Sequence, residues 1–314
     1  MNRPLRWRVA GILTVLTVLS AGCAPTGKNP PTVSSSGSTS QSSAPLEYPV
    51  TVNDVTIEAA PKAVISLAPA ATELLFGMGY QSRVMGISNY CDYPPEADEK
   101  LRCGSALVPD KKAISLRPVD LVVTTSPLTE SDLIWFQQKD VPVLMLPRAT
   151  TLEALWANYL TLATAMGGAS SGKACGEHYC ATLQKKLDEA VALGKAYSQS
   201  HDPLVAILLR EMSYGMATGD TLEGKLLELL GFQNDAAAYT DWRYPEAQVK
   251  ALEPEVIFCH SDISLDELAA SWTYKPVKAV RNHKLMNVDF TVFERQSPRM
   301  FDTLLAMAEF GYSQ

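Results

Sequence analysis

The chain has 314 residues, 46% hydrophobic and 19% charged, with a formal charge of −7. That length implies about two domains with a substantial core, and an acidic chain without Lys/Arg blocks argues against nucleic acid as a partner. Residues 1–22 hold Arg3, Arg6 and Arg8 and no acid, so their removal takes away three positive charges and leaves −10.

Those first residues read as a targeting segment. Basic MNRPLRWR precedes apolar VAGILTVLTVLSAG, which is too short to span a bilayer comfortably. The sequence Leu19-Ser20-Ala21-Gly22-Cys23 resembles the bacterial lipobox. That resemblance implies a lipoprotein signal peptide over 1–22 and a diacylated Cys23 as the mature N-terminus. Residues 23–45 are rich in Ser, Thr, Pro and Gly and lack aromatics, the composition of a flexible tether. The expectation is an extracytoplasmic body held at the cell membrane by lipid.

Residues 48–58 alternate like an edge hairpin. In 64–79, VISLAPAATELLFGMG, a β-branched strand meets Pro69 and then a helix-compatible run. This opens a βαβ unit, in which ligands sit beyond the carboxyl ends of the strands. Glu73 reads as an acid in the first helical turn, favoured there by the helix dipole. Further strands at 84–87, 121–125 and 141–146, a Pro-Pro loop over 90–95 and a helix over 131–139 make residues 46–168 one parallel α/β lobe.

An amphipathic helix over 152–166 ends at Gly167-Gly168. Residues 169–199 then keep Cys180, Leu183, Leu187, Ala190 and Val191 on helical spacing. About 29 helical residues make a rod of roughly 44 Å. A second lobe over 200–314 has strands at 204–209, 256–259 and 285–288, and helices at 222–230 and 302–310. The expected fold is α/β: two doubly wound lobes joined by one long rigid helix.

Gly167-Gly-Ala-Ser-Ser-Gly172-Lys173-Ala174 approaches a phosphate-binding loop. It lacks the final hydroxyl and follows a helix instead of a strand, so its glycines read as a helix stop and restart. Of the four histidines only His260, just past the strand VIFC, falls where a cleft ligand belongs. One histidine suits an axial ligand to a metal already held in a macrocycle, not a bare-ion site. There is no GxSxG elbow and no HExxH signature, and a binding protein fits better than an enzyme.

Besides Cys23 there are five cysteines, an odd number, so one at least is unpaired within the chain. Cys91 and Cys103 flank a short loop and are candidates for a bridge, left open here. Cys175 and Cys180, about 140° apart on a helix, are poorly placed for one. Aromatics gather in loops expected to face one another: Tyr90 and Tyr93 from the first lobe, and Tyr214, Trp242, Tyr244, Phe290 and Phe293 from the second. Such walls suit a large, flat, mostly uncharged ligand.

Six segments in order carry a family resemblance: SLAPAATELLFGMG (66–79), NYCDYPPEA (89–97), SLRPVDLVV (115–123), ATGDTLEGKLLELLGFQND (217–235), LEPEVIF (252–258) and VFERQSPR (292–299). Together they resemble the extracytoplasmic substrate-binding proteins of iron-siderophore, haem and vitamin B12 ABC importers, most of all the cobalamin-binding branch. The family implies a class III periplasmic-binding-protein fold, with the ligand in the cleft between lobes that move little. It implies no cofactor or enzymatic activity of its own, a monomer, and ABC permease subunits as partners. The resemblance puts Tyr90 and Tyr93 on the corrinoid and Phe290, Thr291, Val292, Phe293, Glu294 and Arg295 on the opposite wall. Met216 matches an apolar contact and Tyr244 a rim aromatic; haem or a ferric siderophore is the alternative cargo, with His260 as the possible axial ligand. Permease docking falls to one acid per lobe, Asp110 and Glu246.

Overall fold

The computed structural model describes residues 47–313 apart from 214, 246, 247, 249, 250 and 252. Cys23, with the signal segment and tether, lies outside the described residues, as do Tyr214 and Glu246.

The alternating stretch forms β1 (Val50–Val52) and β2 (Val55–Ile57), an antiparallel hairpin. Asn53 and Asp54 turn it with φ of 46° and 61°, the left-handed geometry that matches strand twist. Tyr48 ties the hairpin down through a 3.1 Å hydrogen bond from its hydroxyl to the Ala165 carbonyl.

Next come β3 (Val64–Ser66), α1 (Pro69–Gly77), β4 (Val84–Ile87), β5 (Leu101–Arg102), α2 (Lys111–Ile114), β6 (Leu121–Thr124), α3 (Glu130–Gln137) and β7 (Val143–Met145). The five strands β3 to β7 pair in parallel in the order β5-β4-β3-β6-β7. Every residue of β3 and β6 is buried, as a central parallel strand covered on both faces requires. The strand order reverses between β3 and β6, and a crevice opens beyond their carboxyl ends.

Helix α4 (Leu152–Gly167) turns at Gly168, φ 93°, into α5 (Ser171–Tyr197), 27 residues long. Gly172 and Gly176 bring α5 close to α4: a Cβ on Gly172 would strike the Ala163 carbonyl, and one on Gly176 would lie 2.8 Å from the Ala163 Cβ. At the other end a Cβ on Gly194 would strike the Leu230 carbonyl of the second lobe. The glycines are contact notches within a continuous helix.

The second lobe contains β8 (Val205–Glu211), β9 (Gly215–Met216), α6 (Leu222–Leu229), β10 (Gln233–Asn234), β11 (Val256–His260), α7 (Leu265–Ala270), α8 (Lys278–Arg281), β12 (Leu285–Val288), α9 (Thr291–Glu294) and α10 (Met300–Tyr312). Its parallel order is β10-β8-β11-β12, with β9 antiparallel on β8. Helix α10 packs along α5, and Phe301 of α10 stacks on Trp156 of α4, ring centroids 4.9 Å apart. An apolar seam thus joins the lobes alongside the long helix.

The cysteine pairing left open by the sequence resolves into thiols: Cys91, Cys103, Cys175, Cys180 and Cys259 are all free. Cys91 instead lies 3.1 Å from the Thr72 hydroxyl.

Candidate binding cleft

Loops at the carboxyl ends of both sheets face one another. A cavity of about 180 Å³ lies between Ala70, Ser126, Arg148, Tyr159, Glu294 and Arg295. A more open one of about 480 Å³ is bounded by Arg210, Glu211, His260, Asp262 and Glu294 on the second lobe. Glu294 lines both, so the two adjoin.

The segment Glu294-Arg295-Gln296-Ser297-Pro298-Arg299 stitches the lobes together. Arg299 grips Glu73 with two parallel bonds of 3.0 and 2.9 Å, and Arg295 approaches the same carboxylate to 3.5 Å. Arg295 also forks onto Asp92, at 2.5 and 2.8 Å. Planar forks of this kind are the strong, geometrically specific class of charged hydrogen bond. Gln296 is buried and pairs in both directions with the Ala149 backbone, donating at 2.6 Å and accepting at 2.8 Å, while Tyr159 donates to the Gln296 carbonyl at 2.8 Å. Arg148 reaches the other way, donating to Glu223 of α6 at 2.6 Å and to the Glu294 carbonyl at 2.8 Å.

Glu73 therefore differs from its sequence reading. Helix α1 starts at Pro69, so Glu73 is beyond the first turn, and it is 4% exposed. Its partner is the opposite lobe and not the helix dipole. The electrostatics agree: the Arg295 hydrogen bond holds Asp92 below the ordinary carboxylate range, and Glu73 raises Arg299. Burial pushes the Glu223 carboxyl up, against the pull of Arg148.

The aromatic residues expected at the cleft divide sharply. Tyr90 is 69% exposed and Tyr93 41%, both on the loop after β4. Phe290 and Phe293 are 1% exposed, Val292 2% and Met216 0%. These four are core residues: the Phe290 ring lies 5.8 Å from Phe293 and 6.1 Å from Trp242, so they present no wall to a ligand. Tyr244 is likewise buried, its ring 4.5 Å from Tyr239. Thr291 turns onto Asp289, donating through its amide and its hydroxyl. Arg295 spends its fork on Asp92, leaving Glu294 as the exposed member of the expected wall.

His260 stacks on Phe290, centroids 5.6 Å apart, and its Nδ1 accepts the Asp262 amide at 3.1 Å. An amide N–H only donates, so the neutral ring carries its proton on Nε2. That nitrogen offers no lone pair to a metal unless the tautomer changes. Asp110 caps α2, accepting from the Ala113 amide at 2.9 Å, and remains exposed. Sequence reasoning missed Asp92, Arg148, Glu223, Gln296 and Arg299. Asp92, Glu223, Gln296 and Arg299 stood inside quoted segments, whereas Arg148 carried no local signal.

The family profile of periplasmic binding proteins matches residues 64–291. The chain belongs to that family. An ABC transporter substrate-binding lipoprotein of Bacillus subtilis is 26% identical over 274 residues, 84% of this chain and 86% of that one. A vitamin B12-binding protein of Vibrio parahaemolyticus is 23% identical, covering 78% of this chain and 88% of its own. Among solved structures, a periplasmic haem-binding protein from Roseiflexus superposes with a TM-score of 0.67 at 19% identity, over 81% of this chain and 98% of that one. The periplasmic vitamin B12-binding protein of Vibrio cholerae does so with 0.56 at 20%, over 80% and 99%. The chain is a solute-binding protein of this family and not an enzyme.

Proposed function

We propose that the protein captures a corrinoid in the interlobe cleft and delivers it to an ABC import permease. The observation that carries this reading is charge compensation at the cleft. Arg148, Arg210, Arg295 and Arg299 each have a carboxylate within 4 Å: Glu223, Glu211, Asp92 and Glu73 respectively. A ferric siderophore with several anionic groups, or the two propionates of haem, would favour uncommitted cations. A bulky corrinoid presenting mostly amides asks instead for aromatic surface and neutral polar contacts, for which the exposed Tyr90 is the first-lobe candidate. The names of the relatives from Vibrio parahaemolyticus and Halobacterium salinarum, vitamin B12-binding and cobalamin-binding, support the same cargo.

The rest of the reading follows from the sequence. Cys23 carries the lipid, residues 23–45 tether a monomeric body outside the membrane, and Asp110 and Glu246 meet arginines of the permease. Haem is the second reading, favoured by the exposed Tyr90 phenol, an oxygen ligand of the kind haem iron accepts.

The test is a spectral titration of the full chain in detergent with cyanocobalamin, haemin and ferric siderophores. Cobalamin is expected to bind at micromolar concentration with the other two weaker. No cobalamin binding in that range overturns the proposal, and tight haemin binding abolished by Tyr90→Phe would replace it.

A further inference from the structure

The loop after β4 has anchors on both lobes. On its own lobe the Cys91 carbonyl accepts from Arg102 at 2.5 Å, and the Cys91 side chain is buried. From the opposite lobe Arg295 forks onto Asp92 and reaches the Tyr90 carbonyl at 3.4 Å, while Arg299 lies 4.4 Å over the Tyr93 ring. Tyr90, between these anchors, is the exposed aromatic.

The Asp92–Arg295 pair adds little to stability, because the Asp92 side chain is 62% exposed and such pairs are screened by solvent. The buried Glu73–Arg299 fork and the Trp156–Phe301 stack already join the lobes without it. What the Asp92 fork adds is orientation, since two parallel bonds to a planar guanidinium fix a carboxylate in position and angle.

We propose that Arg295 is a positioning residue which, gripping Asp92 and the Tyr90 carbonyl from the second lobe, sets the position of the exposed Tyr90, the first-lobe aromatic of the proposed ligand site. Ligand affinity at a first-lobe tyrosine then depends on a second-lobe arginine that need not touch the ligand. The proposal rests on the cleft reading above for its ligand, but not for its geometry.

Two measurements on the full chain in detergent test it. Amide hydrogen exchange without ligand should be faster over residues 88–93 in Asp92→Asn than in the parent, with a melting temperature lowered by no more than a few degrees. Cyanocobalamin affinity should fall about five-fold in Asp92→Asn, within the usual range of coupling between neighbouring groups. Arg295→Lys, which keeps the charge and loses the fork, should reproduce that loss. In a Tyr90→Ala background Asp92→Asn should cost nothing further, because the residue it positions is gone. Unchanged exchange in the loop, or an equal affinity loss in both backgrounds, overturns the proposal. A parent that binds no cobalamin sinks the corrinoid reading, and the exchange comparison then decides the positioning role alone.

Discussion

Glu73 carries a charge where solvent does not reach it, so Arg299 and Arg295 must stabilise it. Breaking a buried pair by removing one partner costs about 3–5 kcal/mol, since it strands the other charge. The arginines here are partly exposed, which puts Glu73→Gln at about 3 kcal/mol, read as a lower urea midpoint; unfolding at the parent's midpoint would refute this. Asp92 supplies a pH signature. Its carboxyl is held below the ordinary 3.8 by the Arg295 hydrogen bond. A depressed folded value means its stabilisation is complete above the unfolded value and disappears as pH falls through the folded one. The stability difference between the parent and Asp92→Asn, under about 1 kcal/mol for so exposed a pair, should therefore be present near neutral pH and shrink as pH falls below the ordinary 3.8. Neither role was legible in the sequence. A lone acid in an apolar helix looks the same whether it answers a dipole or an arginine 226 residues away.

Helix α5 depends on its glycines at both ends. Gly194→Ala would push a methyl into the Leu230 carbonyl, a backbone atom that cannot rotate aside. Overpacking of this kind costs about 1–3 kcal/mol, which should appear as a lower melting temperature with ligand affinity preserved in the folded fraction. Thiols provide a second check on the elements. Burial pushes Cys103 up to about 11 and Cys259 up to about 12, so both should resist a thiol reagent at neutral pH and react once the protein is denatured. The rod, the long helices and the central strands were legible because each is periodic or continuously apolar over many residues. Strands β9 and β10 and helices α7 to α9 were not, being two to six residues long and defined by what they pack against. The apolar members of the wall, Phe290, Val292 and Phe293, were misplaced for a related reason. Aromatic composition marks large contact area but does not say whether core or ligand uses it.

At the scale of the molecule, a continuous helix, an apolar stack and a charged seam all hold the lobes in one relation. Ligand capture should therefore alter the radius of gyration, measured by X-ray scattering in solution, by no more than experimental error; a distinct contraction would show a hinge that these contacts should forbid. The two-lobe plan was legible as strands separated by helices on either side of one rod, but the seam was not, because it is made wholly of long-range partners. Its position in the chain has a consequence for biogenesis. Glu73 leaves the ribosome 226 residues ahead of Arg299, roughly 10 to 45 s earlier at ordinary elongation rates. Through that interval the first lobe holds an uncompensated acid in its forming core, so a nascent chain stalled before residue 295 should be protease-sensitive around α1, and the last twenty residues act as the closing stitch of a domain begun near the start.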